Sequence, residues 1–346
     1  MPEDVTFNIA VYAKTNVGRI RPGNEDNFLV LNLSTADTWT PQSIPGEPDG
    51  NLTTFSQSHY GSLMAVSDGM GGALAGEIAS SLAVASVRDR MLEIQISPTY
   101  SKFPFPERLR LSIELANAHI HHESQVRPEC AGMGATFTGI GIHEAYAYFA
   151  QVGDSRAYLI RNGQLQQITR DQSLVGQLVE AGHITEEEAE RHAYKNVILQ
   201  ALGATPGVNI VIDRLPVKDM DIVVLCSDGL SNKVRPEEMN QIIHDAPSLK
   251  EACDMLIELA NQRGGEDNIT VIVAQFSGGR LAKPNDVLFT TGEQNPAQTK
   301  PIHSENNFRW GAETLPRDPA LPSELSQVIL TDEEEITLTP TNKLPE

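Results

Sequence analysis

Residues 63–69 read LMAVSDG, an apolar run of strand length that ends on an aspartate and a glycine. The later segment 222–229, IVVLCSDG, repeats this arrangement. Two other segments reverse it, because Glu25-Asp26-Asn27 and Glu266-Asp267-Asn268 each lead into an apolar run. Antiparallel neighbours run in opposite directions, so the start of one strand lies beside the end of the next. We therefore expect these four acidic corners to meet at one edge of the molecule.

A fifth carboxylate joins them, since Asp154 follows the strand-like run at 149–153. Carboxylates a few ångströms apart repel and raise one another's pKa, and divalent cations relieve the repulsion. Ligands that are all oxygen favour Mg2+ or Mn2+ over Zn2+. Glycine after Asp68 and Asp228 allows close approach of the backbone, so the Gly69 carbonyl is also a candidate ligand. Asp-Gly and Asp-Asn pairs also mark ordinary turns, but five mirrored corners favour a metal site.

Such a site suits the chemistry of phosphate esters. Two cations bridged by carboxylates generate hydroxide at neutral pH and clamp the attacking and departing oxygens of a phosphoryl centre. Arg21, four residues before Glu25, is placed to hold a phosphate in bidentate fashion. A solvated surface arginine fits this spacing equally well.

The remaining pattern predicts an α+β fold with antiparallel sheets. Helical stripes begin near Leu74 and Leu109, and a capping box at Ser248 with Glu251 opens another helix. Because strands are bunched with helices rather than alternating strictly with them, we expect a layered arrangement. Further strands are indicated by apolar or alternating runs at 7–13, 28–33, 147–152, 157–160 and 269–276, with a hairpin turn at Asn162-Gly163.

The composition excludes several classes of protein. The chain has 346 residues, with 46 acidic and 26 basic side chains and a net charge of −20. This charge argues against a broad electrostatic grip on nucleic acid or an anionic membrane, and no apolar run approaches the roughly 18 residues of a membrane span. The N-terminus lacks the pattern of a secretory signal. Three cysteines without metal-ligand spacing indicate reduced thiols, so we expect a cytoplasmic protein.

A change of composition near Ser277 divides the chain. Residues 277–346 hold 8 of the 21 prolines, 11 acidic and 6 basic residues, and no sustained apolar period, which predicts a disordered Pro-rich acidic tail. Residues 1–276 are then one folded domain, with a net charge of −15. Within it, residues 36–59 are rich in proline and glycine, which predicts an exposed loop.

Six motifs occur in order along residues 11–276: RPGNED at 21–26, VSDGMGG at 66–72, GMGAT at 132–136, VGDSR at 152–156, CSDGL at 226–230 and GEDN at 265–268. Together they resemble the metal-dependent serine/threonine protein phosphatases of type 2C, the PPM family, in their bacterial form. The resemblance implies a catalytic domain with a central sandwich of two antiparallel sheets, flanked by helices, with the metals at one end.

The resemblance also implies a ligand set for Mn2+ or Mg2+, with two principal ions and a third, looser one. Asp68 would bridge the principal ions, with the Gly69 carbonyl on one and Asp228 and Asp267 on the other. Asp154 would hold the third ion together with Asp228.

The catalytic residues implied by the resemblance are Arg21, which would bind the phosphate, with Asp68 and Asp228. Glu25 and Asp26 would act through metal-bound waters or by supporting the ligands. A metal-bridging hydroxide would attack phosphorus directly, without a phosphoenzyme. Animal members have a proposed general-acid histidine where this chain has Met70, so a metal-bound water is the expected proton donor.

The expected function is hydrolysis of phosphoserine and phosphothreonine in proteins, reversing a bacterial serine/threonine kinase. Two alternatives stay open at this point: a catalytically silent type 2C domain that acts as a regulatory binding module, and a phosphatase for small phosphate esters. Residues 169–202 resemble the flap of bacterial members, whose usual His-Pro pair is here His192-Ala193. We expect a monomer that binds neither nucleic acid nor membrane.

Overall fold

Two antiparallel sheets form the centre of the protein in a computed structural model that describes residues 7–41, 53–279 and 281–283. The strands are β1 (Asn8–Asn16), β2 (Asp26–Asn32), β3 (Thr38–Trp39), β4 (Thr54–Ser56), β5 (Ser62–Met70), β6 (Gly134–Ala135), β7 (Phe137–His143), β8 (Tyr146–Val152), β9 (Arg156–Arg161), β10 (Gln164–Gln167), β11 (Val211–Pro216), β12 (Ile222–Cys226) and β13 (Ile269–Ser277). Sheet 1 has the order β10-β9-β12-β13-β1-β4 and sheet 2 the order β11-β8-β7-β5-β2-β3, with β6 paired to β5.

Helices cover the outer face of each sheet. The described α-helices are α1 (Ala73–Ile96), α2 (Phe105–Val126), α3 (Leu174–Glu180), α4 (Glu186–Glu190), α5 (Asp228–Ser231), α6 (Pro236–Asp245) and α7 (Leu249–Gln262). Those that cover the sheets are α1 and α2 on sheet 2 and α6 and α7 on sheet 1. One apolar core lies between the two sheets, a second between sheet 2 and α1 and α2, and a third between sheet 1 and α6 and α7. The layers therefore follow the order helix, sheet, sheet, helix, which confirms the predicted α+β sandwich.

Local signals in the sequence account for several of these boundaries. Asn162 and Gly163 both have positive φ, 54° and 74°, as the tight turn between β9 and β10 requires. Pro236 occupies the first turn of α6, where its missing N–H costs no hydrogen bond. The Ser248 hydroxyl accepts a bond from the amide of Glu251 and begins α7.

The pairing that brings the acidic corners together is as predicted. β2 pairs antiparallel with β5 in sheet 2, and Asp26 lies directly opposite Asp68. β12 pairs antiparallel with β13 in sheet 1, so Asp228 and Asp267 lie at the same end of that sheet. β5 extends through Asp68 to Met70, so this aspartate belongs to its strand rather than following it.

The prediction of an exposed loop at 36–59 is wrong at both of the ends that the structure describes. Trp39 belongs to β3, is only 5% exposed, and contacts the rings of Tyr12 and Phe28 edge to face. At the other end, β4 pairs with β1 and the Gln57 side chain is buried. These short edge strands gain their stability from tertiary packing, which local proline and glycine content does not reveal. Residues 42–52 lie outside the described residues.

The folded part continues beyond the predicted boundary at residue 276. Leu281 is buried in the core between the sheets, and the Ala282 carbonyl accepts a hydrogen bond from the amide of Asp219 (2.9 Å). Residues 277–279 and 281–283 therefore belong to the folded part, and the boundary predicted at residue 276 is too early. Residues 284–346 lie outside the described residues, so their disorder stays a prediction.

Among the described helices, none is long and apolar enough to cross a membrane.

Candidate metal centre

Asp26 and Asp68 lie opposite each other on β2 and β5, and a serine links Asp26 to the other sheet. The Ser227 hydroxyl donates to Asp26 Oδ2 (2.7 Å), and the Thr270 amide donates to the same hydroxyl (3.0 Å). Ser227 precedes Asp228, which begins α5. One hydroxyl therefore holds the ends of the two sheets together beside the carboxylates.

Asp68 is the centre of the cluster. Its amide donates to Thr136 Oγ1 (2.9 Å), and its carbonyl accepts from the Thr136 amide (2.8 Å). Burial, followed by the charges of Asp26, Asp228, Asp154 and Asp267, raises the pKa of Asp68 well above its usual range. All four predicted aspartate neighbours therefore lie close enough to act on this one carboxyl.

The other aspartates are perturbed in the same direction. Burial raises the pKa of Asp26 to about 7, against the hydrogen bonds from Ser227 and Thr270. Burial and the charge of Asp228 raise the pKa of Asp154 to about 7. Burial and then Asp267 raise the pKa of Asp228. Repulsion of this kind is what bound cations would relieve.

Asp154 and Asp228 lie close together, as the predicted third site requires. Asp154 follows Gly153 in the turn between β8 and β9, and Asp228 is the charge that acts on it most strongly. On its other side, Asp228 Oδ2 accepts from the side-chain amide of Asn232 (3.1 Å). Asn232, the residue that follows α5, thus orients the carboxylate.

Arg21 and Glu25 lie at the exposed side of the cluster. Arg21 donates from Nη2 to Asp267 Oδ2 (2.8 Å), and its Nη1 lies 3.8 Å from Glu25 Oε1. The Arg21 side chain is 44% exposed, so it is anchored by acids yet open to solvent. Burial opposes the change, but Asp267 and Glu25 raise the pKa of Arg21. The predicted phosphate-binding arginine therefore lies beside two predicted site residues.

Asn268, which precedes the first residue of β13, joins the loop that carries Arg21 to this strand. Its Oδ1 accepts from the Glu25 amide (2.7 Å), and its Nδ2 donates to the carbonyls of Val17 (2.9 Å) and Gly23 (3.0 Å). The loop that carries Arg21 is therefore fixed to the residue next to Asp267.

Glycines allow the backbone to pack closely here. A Cβ on Gly69 would lie 2.0 Å from the Gly76 carbonyl oxygen, and one on Gly76 would lie 2.0 Å from Glu25 Oε2. The first turn of α1 can therefore approach β5 and Glu25 only because both positions lack a side chain. This close packing is a second reason, besides a carbonyl ligand, for glycine at position 69.

The donor set fits a hard divalent ion, although the ligands are not assembled around one. Among the described residues, no three Asp, Glu, His or Cys side chains have their ligand atoms gathered tightly enough to hold an ion as they stand. Asp26 Oδ1 and Asp228 Oδ1 are nevertheless buried without a hydrogen-bond donor. Oxygen donors in this state are suited to Mg2+ or Mn2+.

The predicted flap is anchored next to Asp154. Arg156 forms a bidentate pair with Asp171, from Nε to Oδ1 (3.0 Å) and from Nη2 to Oδ2 (2.7 Å). Gln172 exchanges two bonds with Gly153: its amide donates to the Gly153 carbonyl (2.9 Å), and its Oε1 accepts from the Gly153 amide (2.8 Å). The base of the flap and the turn that carries Asp154 are therefore one connected unit.

Sequence reasoning missed the residues that hold the cluster in place: Ser227, Thr136, Gln172 and the side chain of Asn268. Their partners lie far away in the sequence, and only the tertiary fold brings them together. The one available signal was the repeated Glu-Asp-Asn, since Asn27 and Asn268 occupy equivalent places in its two copies.

A helix-covered antiparallel sandwich with a carboxylate cluster at one end defines the class of metal-dependent phosphatases of the 2C type. The family profile described as protein phosphatase 2C matches residues 49–269. The chain belongs to this family.

Curated relatives agree with that assignment. The serine/threonine phosphatase stp of Listeria monocytogenes is 35% identical over 262 residues, which cover 76% of this chain and 94% of that protein. Protein phosphatase PhpP of Streptococcus pneumoniae is 34% identical over 62% of this chain and 86% of that protein.

Solved structures agree as well. The Mycobacterium tuberculosis phosphatase PstP/Ppp is 31% identical with a TM-score of 0.63, and the match covers 78% of this chain and all of that one. The catalytic domain of PstP in complex with two manganese ions has 30% identity and a TM-score of 0.62, over 79% of this chain and 100% of that one. This neighbour binds the type of ion that the donor set here fits.

Proposed function

We propose that this chain removes phosphate from phosphoserine and phosphothreonine in proteins, with Mn2+ or Mg2+ as cofactor. The chain is a serine/threonine protein phosphatase of the bacterial 2C type, as predicted. The comparisons favour neither a silent binding module nor an enzyme for small phosphate esters. The single observation that carries the proposal is the approach of aspartates from both sheets to Asp68.

The ligand assignment is part of the proposal. Asp68, the Gly69 carbonyl, Asp228 and Asp267 would hold two principal ions, and Asp154 with Asp228 a third. The raised pKa values of Asp68, Asp154 and Asp228 support this assignment, because bound cations would favour the ionised forms. When bound, such ions activate water as a nucleophile and neutralise charge on phosphoryl oxygens.

The remaining residues would position the substrate and the ligands. Arg21 would bind the phosphate, since its guanidinium is held by Asp267 and Glu25 and is still accessible. Asp26 and Glu25 would support the ligands or orient water. Met70 carries no titratable group and packs against Gly134, so the proton for the leaving group has to come from elsewhere.

We also propose a cytoplasmic monomer that acts on the products of a bacterial serine/threonine kinase. Three free cysteines, all buried, support a reducing compartment. Names of bacterial relatives such as stp and PhpP support substrates that are phosphoproteins. Gel filtration with light scattering would test the monomer.

An assay of phosphopeptide hydrolysis tests the proposed function. We expect turnover of phosphoserine and phosphothreonine peptides with Mn2+, none with excess chelator, and recovery when Mn2+ is restored. A phosphotyrosine peptide of the same sequence is the matched control and should be a poor substrate. Turnover that chelator leaves unchanged, or no turnover of either peptide with Mn2+, would contradict the proposal.

A further inference from the structure

Large apolar side chains are exposed next to the carboxylate cluster. Five of them lie on three segments that border it: Ile20 (68% exposed), Leu74 (59%), Tyr194 (59%), Val197 (40%) and Leu199 (39%). Large apolar side chains exposed around one site are uncommon on a soluble protein unless they bind something. We call these five residues the apolar rim.

The first segment of the rim belongs to the Arg21 loop. The Arg19 amide donates to the Gly265 carbonyl (2.7 Å), and a Cβ on Gly18 would collide with the Asp267 carbonyl oxygen. Ile20 is therefore held between this contact and Arg21, the proposed phosphate ligand.

Leu74 occupies the first turn of α1. Gly76 in the same turn packs against Glu25 and Gly69, so Leu74 borders the cluster from the side of sheet 2. The two rim positions outside the flap thus come from different elements, each in contact with site residues.

The flap contributes the other three residues. The Leu199 amide donates to the Gln172 carbonyl (2.8 Å), and Gln172 in turn holds Gly153 beside Asp154. The Val197 carbonyl accepts from the Leu174 amide (2.9 Å). The stretch 194–199 is therefore fixed to the base of the flap, which is bonded to the turn that carries Asp154.

We propose that the apolar rim binds apolar side chains that flank the phosphorylated residue of a protein substrate. This inference rests on the proposed function and names the class of substrate sequence. Ile20 precedes Arg21, and Leu74 lies in the turn of α1 that packs on Glu25. Apolar residues that flank a phosphate bound at Arg21 therefore gain by burying surface there. Acidic flanking residues gain no such burial, because a charged side chain loses favourable contact with water against an apolar surface. The rim therefore favours apolar over acidic neighbours of the phosphate.

The test compares two substrates with one set of variants of the full chain. Peptides that share one phosphothreonine and differ only in Leu or Asp flanking residues measure selectivity, and p-nitrophenyl phosphate, which has no flanking residues, measures the chemistry alone. The variants are Ile20→Ser, Leu74→Ser and their combination. Ile96→Ser is the control, because Ile96 is 84% exposed at the opposite end of α1, roughly 33 Å from Leu74 at 1.5 Å per residue.

We expect the wild type and Ile96→Ser to prefer the Leu peptide by roughly tenfold in kcat/KM, the scale of a small apolar contact. The double variant should lose most of this preference and lose much less on p-nitrophenyl phosphate. The inference is overturned if the double variant keeps the wild-type preference, or if both substrates decline equally. Failure of the wild type on every substrate with Mn2+ would instead overturn the proposed function, and this inference with it.

Discussion

At the scale of single residues, the clustered aspartates lower the stability of the metal-free fold but supply the proposed ligands for metal. Burial and Asp267 raise the pKa of Asp228, so ionised Asp228 is unfavourable in the protein without metal. We expect Asp228→Asn to lower kcat with Mn2+ by on the order of 100-fold, the scale for loss of one electrostatic group in a catalytic site. In chelator, removal of this unfavourable charge should raise Tm, by roughly 2–4 °C for each kcal/mol of stability gained.

Phosphopeptide turnover and thermal unfolding measure these two effects. Asp89→Asn is the control, since the Asp89 side chain is 57% exposed and pairs with Arg88; it should change neither quantity. A loss of activity together with lower Tm in chelator would indicate a structural role for Asp228.

The same residues give the metal-free protein a pH dependence. The pKa values of Asp26 and Asp154 are each about 7 in the folded state, above roughly 4 in an unfolded chain. A raised folded pKa means that the folded state binds more protons, so the stability it contributes is present below about pH 4 and is lost as pH rises through about 7.

We therefore expect Tm in chelator to fall between pH 5 and pH 8, and Mn2+ to reduce this fall by favouring the ionised carboxylates. Scanning calorimetry across this range measures it, with Asp154→Asn predicted to flatten the curve. A Tm in chelator that rises over the same range would contradict the assigned direction.

At the scale of elements, one buried ion pair fastens the strand ends remote from the site. Arg161 at the end of β9 donates to Asp221 Oδ1 from Nε (2.8 Å) and to Oδ2 from Nη2 (2.6 Å), and both side chains are buried. Asp221→Ala leaves the Arg161 charge unpaired, which should cost about 3–5 kcal/mol in the free energy of unfolding.

Urea unfolding measures that cost. Activity per folded molecule should be unchanged, because Asp221 precedes β12 and Asp228 follows it, so Asp221 lies at the end of the strand remote from the site. Glu180→Gln is the control: the Glu180 side chain is 62% exposed in its pair with Arg170, so the change should be under about 1 kcal/mol. Equal costs for the two variants would refute the argument.

The flap base offers a second test at this scale. Gln172→Ala leaves the Gly153 amide without its acceptor, which costs about 1–3 kcal/mol if the amide stays buried. We expect faster hydrogen exchange in residues 171–202 while β12 and β13 stay protected. Gln164→Ala on the exposed edge strand β10 is the control and should not change hydrogen exchange in the flap. Faster exchange in the flap of Gln164→Ala, or unchanged exchange in the flap of Gln172→Ala, would contradict the role of the bond between Gln172 and Gly153.

At the scale of the whole molecule, the sequence was informative wherever local pattern and tertiary structure agree. The apolar runs of β5, β12 and β13 are buried on both faces, so their composition alone identifies them. The mirrored acids predict from antiparallel pairing that the acidic corners converge, as they do. The exposed loop predicted around Trp39 is wrong because its two-residue strand is stabilised by contacts with Tyr12 and Phe28. The bonds of Ser227 and Gln172 could not be foreseen, since nothing near either residue in the sequence indicates its partner.

The boundary of the folded part is the remaining question at this scale, and two truncations decide it. A chain ending at Lys283 keeps Leu281 in the core and the bonds from Asp219 to Ala282 and from Gly278 to Asp219 Oδ1. A chain ending at Phe276 loses all of them. Removing a buried leucine costs about 2–5 kcal/mol, so we expect the shorter chain to unfold at clearly lower urea concentration.

The chain ending at Lys283 should match the full chain in both urea midpoint and kcat with Mn2+, because it keeps the core contact of Leu281 and the hydrogen bond of Ala282. Comparing the three midpoints in chelator separates folding from metal binding. If the chain ending at Phe276 were as stable as the chain ending at Lys283, the fold would end at the boundary drawn from composition. If the chain ending at Lys283 were less stable than the full chain, residues beyond it would contribute to the fold, and the predicted tail would have to begin later.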